Sequence, residues 1–113
     1  MAPLATGAVV LVSFPFSDLS QSKLRPAVVL AEVGRDDWIM CQITSRPYAD
    51  LNAVELTDAD FSVGTLQRVS YARYTKLFTA NANLIAAGVG TLNPEKHQEI
   101  VEKLVDLLRA QSS

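Results

Sequence analysis

The apolar positions of this chain fall into two regimes: short β-branched runs as far as Leu92, then a stripe at helical spacing to the end. Gly7 precedes Ala8-Val9-Val10-Leu11-Val12, which reads as a first strand, and Pro15 ends its ladder because it lacks an amide hydrogen. Ser17 to Lys23 is polar and serine-rich and reads as a mobile loop. Pro26 to Ala31 reads as a second strand, in which Val28-Val29-Leu30 is a continuous apolar run suited to cover on both faces. Gly34-Arg35-Asp36-Asp37 is a turn signal and predicts a hairpin into Trp38 to Ile43, which stops near Thr44-Ser45-Arg46-Pro47. Val54-Glu55-Leu56 alternates as a short edge strand, and Thr57 to Phe61 has room for one helical turn. Leu66 to Ala72 and Lys76 to Thr79 read as two further strands. Asn81-Ala82-Asn83 is turn chemistry, and Leu84 to Leu92 is a strand in which Gly88 and Gly90 mark a bend or bulge.

The helix has the clearest local signature. Asn93 suits the N-cap, Pro94 the first helical position, and Glu95 complements the dipole. Val101, Leu104, Val105 and Leu108 recur at helical spacing, widened by Ile100 and Leu107. Glu99, Glu102, Lys103 and Asp106 take the opposite face, so the stripe is expected to pack on the chain's own sheet. Several short strands closed by one helix predict a mainly β fold: a small, strongly curved antiparallel sheet or barrel, in one domain over residues 1–113.

Composition narrows the class. With 49% hydrophobic and 19% charged residues the chain should form a globule, and no run of about 18 apolar residues exists to span a bilayer. The first residues lack the basic and long apolar regions of a signal peptide, so the cytoplasm is the expected compartment. Cys41 is the only cysteine, which excludes an intrachain disulfide and a cage of thiolates. A net charge of −2 argues against nucleic-acid binding through overall positive charge. The distribution is uneven, however. Ala49 to Ser62 holds Asp50, Glu55, Asp58 and Asp60 without a base, and Gly64 to Thr79 holds Arg68, Arg73 and Lys76 without an acid. With Lys23, Arg25 and Arg46, these bases either form a local anion site or pair across strands with the acids.

Candidate chemistry is sparse. There is no glycine-rich phosphate loop, no Cys/His cluster and no nucleophile elbow. His97, the only histidine, reads as a surface residue of the first helical turns, and one histidine cannot fill both roles of an acid–base pair. Asp58 and Asp60 read as turn residues in preference to Mg²⁺ ligands. In Lys23-Leu24-Arg25-Pro26-Ala27-Val28-Val29-Leu30, Pro26 holds Arg25 extended at a strand mouth. Alone, that arginine reads as capping the barrel end or pairing with Asp18. Thr44, Ser45, Arg46, Arg25 and Arg73 together make a set of hydroxyls and arginines at strand ends. Such a set suits metal-free stabilisation of charge on a phosphate.

Gly7 to Leu30, with Val-Val-Leu-Val-Ser-Phe-Pro-Phe-Ser-Asp and Lys-Leu-Arg-Pro-Ala-Val-Val-Leu, resembles the opening of the MazF/PemK family of toxin endoribonucleases. Gln42-Ile43-Thr44-Ser45 resembles its second motif, Ser70 to Thr79 its third block, and Ile85 to Leu92 the strand before its last helix. The resemblance implies an SH3-like barrel, a homodimer, and sequence-selective cleavage of single-stranded mRNA without cofactor or metal, inhibiting translation. It also implies a cognate antitoxin whose disordered tail lies in the RNA groove. By position, Arg25 would stabilise the cyclising phosphate or donate a proton, and Thr44 would hold the scissile phosphate. Ser45, Arg46, Arg73, Lys23 and Phe16 would bind substrate. The attacking group would be the RNA's own 2′-hydroxyl, giving a 2′,3′-cyclic phosphate. Some members carry Arg-x-Asp in the third block; here Arg73-Tyr74-Thr75 has no carboxylate. A gyrase-poison-like toxin of the same fold, acting by protein binding, is the alternative.

Overall fold

The computed structural model describes residues 4–15, 22–47 and 50–111. Among these residues seven strands form one antiparallel sheet: β1 (Ala8–Pro15), β2 (Ser22–Gly34), β3 (Asp37–Thr44), β4 (Val54–Leu56), β5 (Phe61–Gly64), β6 (Ser70–Asn81) and β7 (Ile85–Leu92). Their spatial order is β4-β6-β3-β2-β1-β7-β5, and α1 (Pro94–Ala110) follows. The sheet curls into a half-barrel, the mainly β architecture with a C-terminal helix that the sequence predicts.

Both sides of the central strands are covered. Val28 and Val29 are each wholly buried but belong to different clusters, as strand alternation requires. Val9, Val28, Cys41, Ile43, Leu56, Ala72 and Tyr74 face α1, which contributes Ile100, with Leu104 and Leu107 packed alongside. Val10, Val12, Ala27, Val29, Trp38 and Met40 form the cluster on the other side. The helix thus packs on its own sheet through Ile100, Leu104 and Leu107 of the expected stripe, whereas Leu108 is 58% exposed. Asn93 caps α1 by accepting a hydrogen bond from the Lys96 amide at 2.9 Å.

Several boundaries differ from the sequence reading. Leu66 to Ala72 and Lys76 to Thr79 belong to one strand, β6, which begins only at Ser70. Its ladder with β3 jumps from Gln42↔Arg73 to Cys41↔Leu77, so Tyr74 to Lys76 form a bulge that masquerades as a break. Phe61–Gly64 is a strand that three exposed positions concealed. Gly64 has φ +67, and a Cβ there would lie 2.2 Å from the Val89 carbonyl oxygen, so only glycine permits β5 to approach β7. The expected irregularity at Gly88 and Gly90 is present: Val9 pairs with Gly90 and Val10 with Gly88, leaving Val89 unpaired. Ser17 to Gln21 of the expected loop lies outside the described residues, whereas Ser22 and Lys23 already belong to β2.

Candidate active site

The face opposite the helix carries the candidate residues because of register. Ala27 pairs with Gln42, and Gln42 pairs with Arg73. Stepping by two along each strand, Arg25 precedes Ala27, Thr44 follows Gln42, and Tyr71 precedes Arg73. Thr44 pairs with Tyr71, which also pairs with Glu55 on the edge strand. Successive side chains on a strand alternate faces, so Arg25, Gln42, Thr44, Tyr71, Arg73 and Glu55 share one face. The fully buried Ala27 and Val29 mark it, while Ile43, Ala72, Tyr74, Val54 and Leu56 point to the helix side. Arg25 lies opposite Val12 of β1 and is exposed.

Local structure fixes several of these groups. The Thr44 hydroxyl oxygen accepts a hydrogen bond from the Arg46 amide at 3.1 Å, which holds the side chain at the end of β3 while its own proton stays available to donate. Ser45 and Arg46 are exposed just past the strand. Lys23, two residues before Arg25, is exposed at the register position opposite Phe14. Phe16 lies outside the described residues.

Arg73 is paired. Its Nε donates to Asp50 Oδ2 at 3.0 Å, and Asp50 Oδ1 accepts from the Asn52 amide at 2.8 Å. Burial alone would raise the Asp50 pKa. The Asn52 amide, the Arg73 guanidinium and the Lys76 ammonium outweigh it and hold the carboxyl below the ordinary carboxylate value. For this pair, the acidic and basic segments do compensate each other, one of the two arrangements the sequence allows.

Other groups are withdrawn from chemistry. Burial pushes the Cys41 thiol up to about 12, against smaller opposing backbone hydrogen bonds, so it carries no thiolate at neutral pH. Tyr74 is 7% exposed inside the helix-side cluster and is a packing residue, whereas Tyr71 is half-buried on the site face. His97 is not the surface residue expected. It packs beneath Gly7, half-buried, with Nε2 enclosed and without a partner. Glu55, and Asp50 as the particular partner of Arg73, are the site neighbours that sequence reasoning did not place. The alternation of Val54-Glu55-Leu56 already placed Glu55 on the face opposite the core, but its strand neighbours were not legible.

Over residues 5–108 the chain matches the family described as the PemK-like, MazF-like toxin of type II toxin-antitoxin system. The chain belongs to the PemK/MazF toxin family. No curated protein matches it. Among solved structures it is similar to MazF in a MazE–MazF complex of Deinococcus radiodurans, with TM-score 0.73 and 20% identity over 91% of this chain and 93% of that one. A mycobacterial endoribonuclease in complex with its cognate antitoxin gives TM-score 0.71 and 16% identity, over 95% of each chain. The Mycobacterium tuberculosis toxin MazF-mt6 gives TM-score 0.68 and 16% identity, covering 90% of this chain and 96% of that one. The fold is therefore shared over 90–95% of this chain, and among the described residues no helix is long and apolar enough to cross a membrane.

Proposed function

We propose that this PemK/MazF-family toxin is a metal-independent endoribonuclease that cuts single-stranded RNA, mRNA in the cell, and so inhibits translation. The observation that carries the reading is the common face of Arg25, Thr44 and Arg73, two cations and a hydroxyl on adjacent strands. Neighbouring strands lie about 4.8 Å apart, so donors from β2, β3 and β6 span the width of one phosphodiester and its flanking sugar. The RNA's 2′-oxygen attacks the adjacent phosphorus, the bond from phosphorus to the 5′-oxygen breaks, and a 2′,3′-cyclic phosphate remains. Arg25 stabilises the negative charge that develops on the phosphoryl oxygens, and the departing 5′-oxygen takes a proton from it or from water its guanidinium polarises. Thr44 donates its hydroxyl proton to the phosphate. Arg73, Lys23, Ser45, Arg46 and Phe16 bind neighbouring parts of the strand.

Thr75 offers no carboxylate to take the 2′-proton. Glu55 is a carboxylate on this face that Arg73 does not hold, and it stands one strand beyond Tyr71 from Thr44. It is assigned the role of proton acceptor. A homodimer is proposed as the working form, supported by an apolar groove of about 710 Å³ between Leu4–Val10 and Ile85–Thr91 that a second surface would cover. A cognate antitoxin whose disordered tail lies in the RNA groove is proposed as the partner, and the cytoplasm as the compartment. Incubating the purified protein with a long single-stranded RNA in EDTA tests the reading. Site-specific cuts ending in cyclic phosphate are expected. Intact RNA, with a protein target captured instead, would point to the gyrase-poison-like alternative.

A further inference from the structure

Arg73 enters the candidate site already held, and the group that holds it is itself fixed on both oxygens. Asp50 Oδ2 accepts from Arg73 Nε at 3.0 Å, and Oδ1 accepts from the Asn52 amide at 2.8 Å. The Asp50 and Arg73 side chains are only 10% and 22% exposed. Asp50 therefore does not present a free carboxylate edge to the site face. An arginine has five donors in a planar fork, and the bond through Nε leaves the terminal Nη1/Nη2 edge unoccupied by Asp50. Arg73 also sits opposite Gln42, one step from the Thr44–Tyr71 pair, on the face that carries Arg25 and Thr44.

We propose that Asp50 is a positioning residue: its carboxylate fixes the Arg73 guanidinium so that the terminal edge meets an RNA phosphate beside Thr44. This rests on the endoribonuclease reading above. The opposite possibility is that Asp50 competes with phosphate for Arg73 and weakens binding. Geometry favours positioning. A competitor in the phosphate's place would occupy the terminal Nη1/Nη2 edge, whereas Asp50 binds side-on through Nε and is held on its other oxygen by the Asn52 amide. Fixing a long, rotamer-rich side chain before the ligand arrives removes an ordering cost at binding.

The test uses a single-stranded RNA oligonucleotide spanning a mapped cleavage site, with 2′-deoxyribose at the cut position so that binding is read without turnover. Dissociation constants are measured across salt for the wild type, Asp50→Ala, Asp50→Asn, Arg73→Ala and the Asp50→Ala/Arg73→Ala double variant. Urea midpoints verify that each is folded. Asp50→Ala is expected to weaken binding about tenfold and to flatten the log–log salt slope by about 0.7, one phosphate contact on a single strand. Arg73→Ala should do the same, and the double variant should bind no more weakly than Arg73→Ala alone. On intact RNA the loss should fall on KM, with kcat within about twofold. Should Asp50→Ala fail to fold, Asp50→Asn keeps the shape without the charge and should show the same direction. Tighter or unchanged binding, or losses that simply add, would overturn the positioning role. A wild type that neither binds nor cuts RNA would instead sink the endoribonuclease reading on which it rests.

Discussion

Ile100 is the residue through which α1 holds the back of the sheet, and its truncation separates fold from site. It is the wholly buried residue of the helix and packs in one cluster with Val9, Val28, Cys41, Ile43, Leu56, Ala72 and Tyr74. Ile100→Ala removes three carbons. At roughly 0.8 kcal/mol for each buried methylene the transfer loss is about 2.4 kcal/mol, and the cavity left among β-strand side chains brings the total to about 3–4 kcal/mol. For a domain of this size, at about 4 °C per kcal/mol, Tm should fall by about 12–16 °C. Urea unfolding at 25 °C should show a lower midpoint with an unchanged m-value. The site residues project from the opposite face of β3 and β6. RNA cleavage at 20 °C should therefore stay within about twofold while the protein remains folded. A loss below about 1 kcal/mol would mean that α1 is not docked on this face. A large loss of activity in a folded variant would mean that the two faces are not separable.

Two further substitutions probe separate parts of the account. Burial pushes the His97 imidazole below its ordinary value, so the unfolded chain binds the proton more readily than the folded one. The neutral form's contribution to stability is present above about pH 6.5 and is lost as pH falls through the lower folded value; His97→Gln should flatten that part of the urea-midpoint profile, and an identical profile would contradict it. Glu55→Gln should lower kcat by about 10²–10³-fold with little change in KM or in the melting temperature. Unchanged kcat would remove Glu55 as proton acceptor.

Much of the fold is legible locally. Asn93-Pro94-Glu95 and the apolar stripe specify the helix, and Val28-Val29-Leu30 announces a strand covered on both sides, because capping and burial act within a few residues. The β6 bulge is not legible, since Tyr74-Thr75-Lys76 breaks alternation as a loop would, and only the β3 ladder shows that the strand continues. The hairpin turn is legible from Gly34, although Arg35 and Asp36, which both have positive φ, occupy positions where Asn and Gly are usual. Asn81 braces that turn from β6 by donating to the Arg35 carbonyl oxygen at 3.1 Å, a contact 46 residues apart. The candidate site divides in the same way. Arg25 and Thr44 stand out by motif, whereas the Asp50–Arg73 pair and the placement of Glu55 beside Tyr71 depend on strand pairing that the local pattern does not encode. His97 looks exposed from its polar neighbours and is half-buried because Gly7, far away in sequence, packs on it.

The central claim is that the Arg25–Thr44–Arg73 face cuts RNA, and the most direct measurement compares wild type with Arg25→Ala on one long single-stranded RNA in EDTA. Both cleaved ends are sequenced, and dimer state and melting are measured alongside. The account predicts discrete cuts with 2′,3′-cyclic phosphate ends for the wild type. It predicts a loss of at least about 10³-fold for a folded, dimeric Arg25→Ala. Undiminished cutting by Arg25→Ala, or wild-type ends without cyclic phosphate, would contradict it.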